Sequence, residues 1–195
     1  MRQGGGTSGT RLRETAKLIS GIIVAQDTGS EVAPLAPDSN IKQIYNILEN
    51  TFGRIDLRSE IIPFDFTNYY EEELGTDLQR QWVSFEKLIA PEDLASIKLS
   101  TVQIENSLKR PSGTRKVNLD PGYITLHNLV LASTKNYSHR IYLGNNIYAE
   151  LTLIYQNHSF HPLDWTYPDY RENIKFFEEV RAKFCRFQTA SRQRR

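Results

Sequence analysis

Two short stretches of this chain hold most of the residue types that do chemistry. The first is Asn118-Leu119-Asp120-Pro121-Gly122-Tyr123, at the exit of an expected strand. An Asp ahead of Pro-Gly can close a turn by bonding its own backbone, and it can equally hold a ligand or a metal. Both readings stand on the residues alone. The second stretch is Thr134-Lys135-Asn136-Tyr137-Ser138-His139-Arg140. Lys135, Arg140, His139 and the Ser138 hydroxyl are the donor types that hold phosphate or carboxylate. A histidine is also a proton-transfer group, so His139 can move a proton. Glu150 sits ten residues further on, flanked by apolar side chains. Facing inward beside Arg140 it would be a site carboxylate; facing outward it would be a cross-strand ion pair.

These residues suggest a site with named roles. Asp120, His139 and Glu150 are the candidate catalytic groups. Asn118, Lys135, Ser138, Arg140 and Tyr123 are the candidate ligand contacts. The expected ligand is a small anion or a nucleotide-like molecule, and no cofactor is specified. The alternative, from a different class, is a non-enzymatic interaction or regulatory protein working through its charged faces.

Other clusters carry weaker signals. Asp65 with Glu71, Glu72 and Glu73 has the oxygen donors of a Mg²⁺ or Ca²⁺ site, yet consecutive side chains cannot all point one way. His158 and His161 would need a third ligand placed by the fold. Trp165, Tyr167 and Tyr170 read either as a stacking wall for a base or as packing under the last helix. The Walker A loop, the Rossmann glycine fingerprint, HExxH and GxSxG are all missing.

The elements that must position these groups read as an alternation. Lys17 to Gln26 is a short β-branched apolar run, read as a buried strand. Asp27 to Asn40, with Gly29, Pro34 and Pro37, reads as a loop. Asn40 can cap a helix carrying Ile41, Ile44, Tyr45 and Leu48 on one face and ending at Gly53. Arg54 to Ile62 alternates like a half-buried strand, with Ile55, Leu57 and Ile61 inward. Gln79 to Ile89 is a third strand, and Pro91 opens a helix running to about Leu108. Arg115 to Leu119 is a fourth strand, closed by a turn at Asp120-Pro121-Gly122, and Leu126 to Ala132 reads as a helical turn or two. Ile141 to Tyr155 is a β-hairpin around Gly144-Asn145-Asn146. A last helix from Arg171 to about Phe187 lines up Ile174, Phe177, Val180, Phe184 and Phe187. The expected fold is a single-domain α+β sandwich with a mainly antiparallel sheet. Its first part is β-α-β-β-α-β and ferredoxin-like, followed by the hairpin and helix. Residues 17–187 form the domain. Residues 1–16, with Gly4-Gly5-Gly6, and the basic tail 188–195 are expected to be disordered.

Composition limits the function classes. The chain has 195 residues, with 24 Lys and Arg against 23 Asp and Glu. That near balance argues against a dedicated nucleic-acid binder. The balance is uneven along the chain. Glu31 to Asn106 holds 14 acidic and 6 basic residues, whereas Ser107 to Glu150 holds 2 acidic and 6 basic ones. Both chemical stretches fall in the basic part, which suits an anion. The lone Cys185 excludes an internal disulfide. No apolar run is long enough to span a membrane, and the first ten residues lack a signal-peptide core, so a cytoplasmic protein is expected.

Several long blocks also match a known family in order. Pro63-Phe64-Asp65-Phe66-Thr67-Asn68-Tyr69-Tyr70-Glu71-Glu72-Glu73-Leu74-Gly75 resembles one of its hallmark blocks. Asn118 to Tyr123 resembles its signature. Lys135 to Leu143, Ile147-Tyr148-Ala149-Glu150 and Trp165-Thr166-Tyr167-Pro168-Asp169-Tyr170 are similar to later blocks. The family is the prokaryotic domain of unknown function 4416, and the resemblance covers roughly Lys17 to Phe187. Leu74 stands where the pattern has methionine, an apolar-for-apolar change. The resemblance implies a bacterial or archaeal cytoplasmic protein, with no activity attached.

Overall fold

The computed structural model describes residues 14–25, 39–67 and 71–193. Most of the glycine-rich start, most of the loop with Gly29, Pro34 and Pro37, residues 68–70 and the last two arginines lie outside them. Strand β1 (Ala16–Ala25) lies at the middle of the sheet and is buried on both faces, so its apolar run is continuous rather than alternating. Helix α1 (Ser39–Phe52) starts one residue before Asn40 and ends at Gly53, whose φ of 96° suits a glycine stop. Then follow β2 (Ile55–Arg58), β3 (Ile62–Pro63), the short α2 (Glu71–Leu74) and the long β4 (Leu78–Ile89). A 3₁₀ turn at Pro91–Asp93 leads into α3 (Leu94–Ser107), so Pro91 opens the helix as expected. The rest is β5 (Val117–Ile124), β6 (Asn128–Ser133), β7 (Arg140–Gly144), β8 (Ile147–Gln156) and β9 (Ser159–Pro162), then α4 (Pro168–Glu172) and α5 (Ile174–Gln193).

The described strands form one nine-stranded sheet in the order β2-β4-β1-β5-β6-β8-β7, with β3 on β4 and β9 on β8. Every pairing is antiparallel. The fold class is α+β, as the sequence suggests. Helices α1 and α3 cover one face: Ile41, Ile44 and Leu48, with Ile97 and Ile104, pack on Leu18, Ile22 and Val83. Helix α5 covers the other, where Phe176, Phe177 and Val180 meet Ile19, Trp82 and Leu153. Side chains alternate along β1, so a single strand feeds both cores. The β7–β8 hairpin turns through Asn145 and Asn146, both at positive φ (54° and 57°), as a two-residue primed turn requires. No helix among the described residues is long and apolar enough to cross a membrane.

Four local expectations are corrected. Leu126 to Ala132 is not helical; Asn128–Ser133 is strand β6, because Leu129 and Leu131 face α5 while Val130 and Ala132 face α3. Asp120-Pro121-Gly122 is not a turn either, since β5 runs straight through it, with Ser20 opposite Pro121. β2 stops at Arg58, leaving Ile61 42% exposed, and the apparent outward residue Asp56 is held between Lys17, Ser84 and Lys183. Helix α5 continues to Gln193, beyond the expected end near Phe187, and Phe187 is exposed instead of lying on the inner stripe.

The straight passage through Pro121 has a physical reason. β6 pairs with β5 only at Gly122, Tyr123 and Ile124. Below that point the two strands part, and the open edge of β5 is covered by α3. Leu119 donates its N–H to Glu105 Oε1 (2.6 Å), and its carbonyl accepts from Lys98 Nζ (2.7 Å). Backbone direction repeats every two residues, so the N–H that Pro121 lacks falls on this unpaired side. The proline therefore costs the sheet no ladder bond.

Candidate functional site

The parting of β5 and β6 coincides with a cavity of about 500 Å³, within the range of small-molecule sites. Asp120 of β5 lines one side, and Leu131, Ala132 and Ser133 of β6 line another. Lys135, His139, Arg140 and Glu150 line it as well. Five of the eight expected site residues, from stretches that are separate in sequence, therefore meet in one place. Asn118 supports the site from behind, donating Nδ2 to Asp120 Oδ2 at 2.9 Å. The remaining two are not brought in. Tyr123 points to the opposite face of the sheet, packed on the cluster of Leu94, Val130 and Ile147. Ser138 is exposed and is not part of the lining.

The inner end is organised by Arg80, a residue that motif reading passes over. Its position on β4 shares a face with Leu78 and Trp82, and it is only 1% exposed. Nη1 donates to Asp120 Oδ2 at 3.1 Å, and Nε lies 3.0 Å from Asp169 Oδ2 as an ion pair without hydrogen-bond alignment. The guanidinium carbon stands 4.7 Å from the Trp82 ring centroid and 5.2 Å from that of Tyr170. Burial opposes the Arg80 charge, but Tyr170, Asp169 and Asp120 around it more than compensate, so it stays protonated. Burial also opposes ionisation of Asp120; the charges of Arg80 and Lys98 overcome this and hold its carboxyl below the usual range. Asp169 goes the other way: burial pushes its carboxyl up in spite of Arg80. Two carboxyls on one guanidinium are thus driven apart, the arrangement that separates an acid from a base.

Gly21 makes room for this cluster. A Cβ there would lie 2.7 Å from Arg80 Nη2 and 2.8 Å from Cζ. Because Arg80 is pinned by two carboxylates, it has nowhere to swing. Gly21→Ala is expected to lower stability by about 1–3 kcal/mol, the usual cost of overpacking, measured by urea denaturation. A loss under about 0.5 kcal/mol, the range of an ordinary surface change, would show that the guanidinium has slack.

The outer end is built on the hairpin. Arg140 and Glu150 are register partners on β7 and β8, and Arg140 Nε donates to Glu150 Oε2 at 2.8 Å. Glu150 therefore faces inward beside Arg140, at 1% exposure, and not outward as an exposed cross-strand pair. His139 Nε2 lies 3.1 Å from the same oxygen. In the neutral imidazole, donation of Nε2–H to this carboxylate oxygen leaves Nδ1 as the ring's acceptor. The imidazole is stacked on Trp165, with centroids 4.9 Å apart and planes at 12°, and Trp165 donates Nε1 to the Leu151 carbonyl. Arg140 also reaches Ser133 Oγ, the Lys135 carbonyl and the Tyr167 hydroxyl, at 2.8–2.9 Å. It acts as a clamp that shapes the Lys135–His139 loop more than as a free anion contact. Burial pushes the Tyr167 phenol up, and Glu150 adds to the effect.

The walls are aromatic: Phe64, Phe66, Tyr137, Trp165, Tyr167 and Tyr170 all line the cavity. Tyr170 packs under the last helix, stacked on Phe177 at 5.2 Å, whereas Trp165 and Tyr167 are exposed on the cavity wall. Three cations, Arg80, Lys135 and Arg140, share the lining with the carboxyls of Asp120, Glu150 and Asp169. No group of three or more His, Cys, Asp or Glu fit to hold a metal occurs among the described residues. Of the expected acidic cluster, Glu73 is bound by Arg115, whose Nε donates to it at 2.9 Å. Of the histidine pair, His161 lies on β9, not in a loop, and its ring nitrogen meets the Gln156 carbonyl.

Arg80, Asp169, Ser133 and the phenylalanines are what sequence reasoning missed. One signal was present: Gly21 interrupts a β-branched strand, which often marks a close approach of another group.

No curated protein and no solved structure matches the chain. The model of one family does, the domain of unknown function DUF4416, over residues 32–184. That span contains α1 through most of α5 and every residue of the cavity except Ile23. The chain belongs to the DUF4416 family.

Proposed function

We propose that this chain is a cytoplasmic prokaryotic protein that binds a small nucleotide-like ligand in the cavity between β5 and β6. One observation carries the reading: two stretches rich in chemical groups, apart in sequence, converge on a single aromatic-walled cavity of about 500 Å³. A planar ring fits against Trp165, Tyr137, Phe64 and Phe66, since stacking on aromatic faces suits any flat heterocycle. Lys135 is the exposed cation of the lining and the contact for an anionic group on the ligand. His139, with Nε2–H committed to Glu150, offers Nδ1 as the proton acceptor if the ligand is transformed.

The test is a calorimetric and thermal-shift panel of nucleosides, mononucleotides and inorganic phosphate against wild type, Trp165→Ala and His139→Ala. At about 100 times Kd a ligand stabilises by about 2.7 kcal/mol, a readily measured rise in Tm. Trp165→Ala is expected to weaken binding about 5- to 100-fold, the value of one stacking contact. No binding across the panel would overturn the reading in favour of a role through a protein partner.

A further inference from the structure

The inner end of the cavity presents a hydrogen-bond acceptor, and this selects among flat ligands. The two carboxylate oxygens of Asp120 are unequal. Oδ2 accepts from Arg80 Nη1 at 3.1 Å and from Asn118 Nδ2 at 2.9 Å. Among the described residues, Oδ1 makes no hydrogen bond; Lys98 Nζ stands 4.0 Å from it, and that ammonium already donates to the Leu119 carbonyl. The Asp120 side chain is 26% exposed, whereas its neighbours Arg80 and Asn118 are buried. The carboxylate is therefore fixed from behind and open in front.

Among the described residues, the other groups at this end are turned inward: the Tyr170 hydroxyl lacks a partner, but it is fully buried. Arg80 turns Nη1 to Asp120 and Nε to Asp169. Asp169 accepts the Tyr170 N–H on Oδ1 and faces Arg80 with Oδ2. Asp120 Oδ1 is thus an anionic acceptor on the cavity wall, in aromatic surroundings.

Resting on the reading of the cavity as a ligand site, we infer that Asp120 Oδ1 receives an N–H from the ligand, which is an amino-bearing planar heterocycle. A ring edge that offers only acceptors would set lone pairs against the carboxylate. Both would then be left unpaired out of water, the costliest outcome in recognition. A hydrogen bond to a fixed, charged acceptor is stronger than a neutral one, so a single amino group suffices for discrimination. The Arg80 charge that keeps Asp120 ionised makes this acceptor constant across the neutral range. Three carboxyls in the lining also disfavour a polyphosphate inside the cavity, so the anionic part of the ligand belongs at the Lys135 mouth.

The experiment compares two pairs that differ by one amino group, adenosine against purine riboside and guanosine against inosine, by calorimetry on the full chain. In at least one pair the amino-bearing member is expected to bind about tenfold or more tightly. Asp120→Asn keeps the shape but replaces the anion, and it should erase that preference. The wild-type pairs decide the matter even if the variant fails to fold. Nucleosides that bind, and lose affinity in Trp165→Ala, while showing no amino preference in either pair would overturn this inference and leave the ligand site standing. Absence of binding by all four would overturn both.

Discussion

Arg80→Met is expected to destabilise the fold by about 3–5 kcal/mol at neutral pH, the cost of breaking a buried ion pair from one side. The side chain is 2% exposed and lies between Asp120 and Asp169. Methionine fills much of the space beside Trp82 and Tyr170, so the loss is mainly electrostatic. The pH dependence separates this from a packing defect. In the wild type the Asp120 carboxyl lies below its ordinary value, so its contribution is present above about pH 4 and is lost as pH falls further. Without Arg80, burial dominates, and Asp120 joins Asp169 above the unfolded value. A raised carboxyl stabilises below the unfolded pKa and loses that contribution as pH rises through the folded one. The gap between wild type and variant should therefore widen from about pH 4 to pH 7, read from urea midpoints at each pH. A gap that stays constant would show that the two carboxyls do not depend on this guanidinium.

Glu150→Ala is expected to cost a similar 3–5 kcal/mol, for the same class of reason. Arg140 is 4% exposed at the side chain, and Glu150 Oε2 is the acceptor for both its Nε and His139 Nε2. Truncation leaves a guanidinium without its counter-charge and frees the imidazole from the Trp165 face. Because Arg140 also holds Ser133 and the Lys135 carbonyl, the Lys135–His139 loop should lose amide protection in hydrogen exchange, and indole emission should change. Glu150→Gln keeps an acceptor and should cost clearly less. A loss under about 1 kcal/mol for Glu150→Ala, with exchange in the loop unchanged, would mean that the hairpin and not the carboxylate organises this wall.

The parts of this molecule that were legible in the sequence are those governed by local physics. The apolar stripe of α1, the proline that opens α3 and the Asn145-Asn146 hairpin follow from periodicity and from which residues accept positive φ. The errors share one cause. Asp120-Pro121-Gly122 has every local mark of a turn, yet the register with β1 and the bonds of Leu119 to Glu105 and Lys98 keep it extended. Asn128–Ser133 is short and apolar, a run that periodicity alone cannot assign, and pairing with β5 and β8 makes it a strand. Arg80, flanked by Gln79 and Gln81, reads as a solvated position. Its burial depends on carboxylates 40 and 89 residues away in sequence, and on the missing Cβ of Gly21.

The candidate site divides along the same line. The amino-acid sequence by itself determined which residues are able to do chemistry, Asp120, His139, Arg140 and Glu150 among them, because donor type and charge belong to single side chains. It also determined the hairpin that sets Arg140 opposite Glu150. Only the tertiary structure decided that Asp120 shares their cavity, that Tyr123 and Ser138 do not, and that Arg80 and Asp169 form its inner end. The reason is that a side chain's face and partners depend on strand order and register, which are set by pairings across the whole chain. Neighbouring residues carry no record of them.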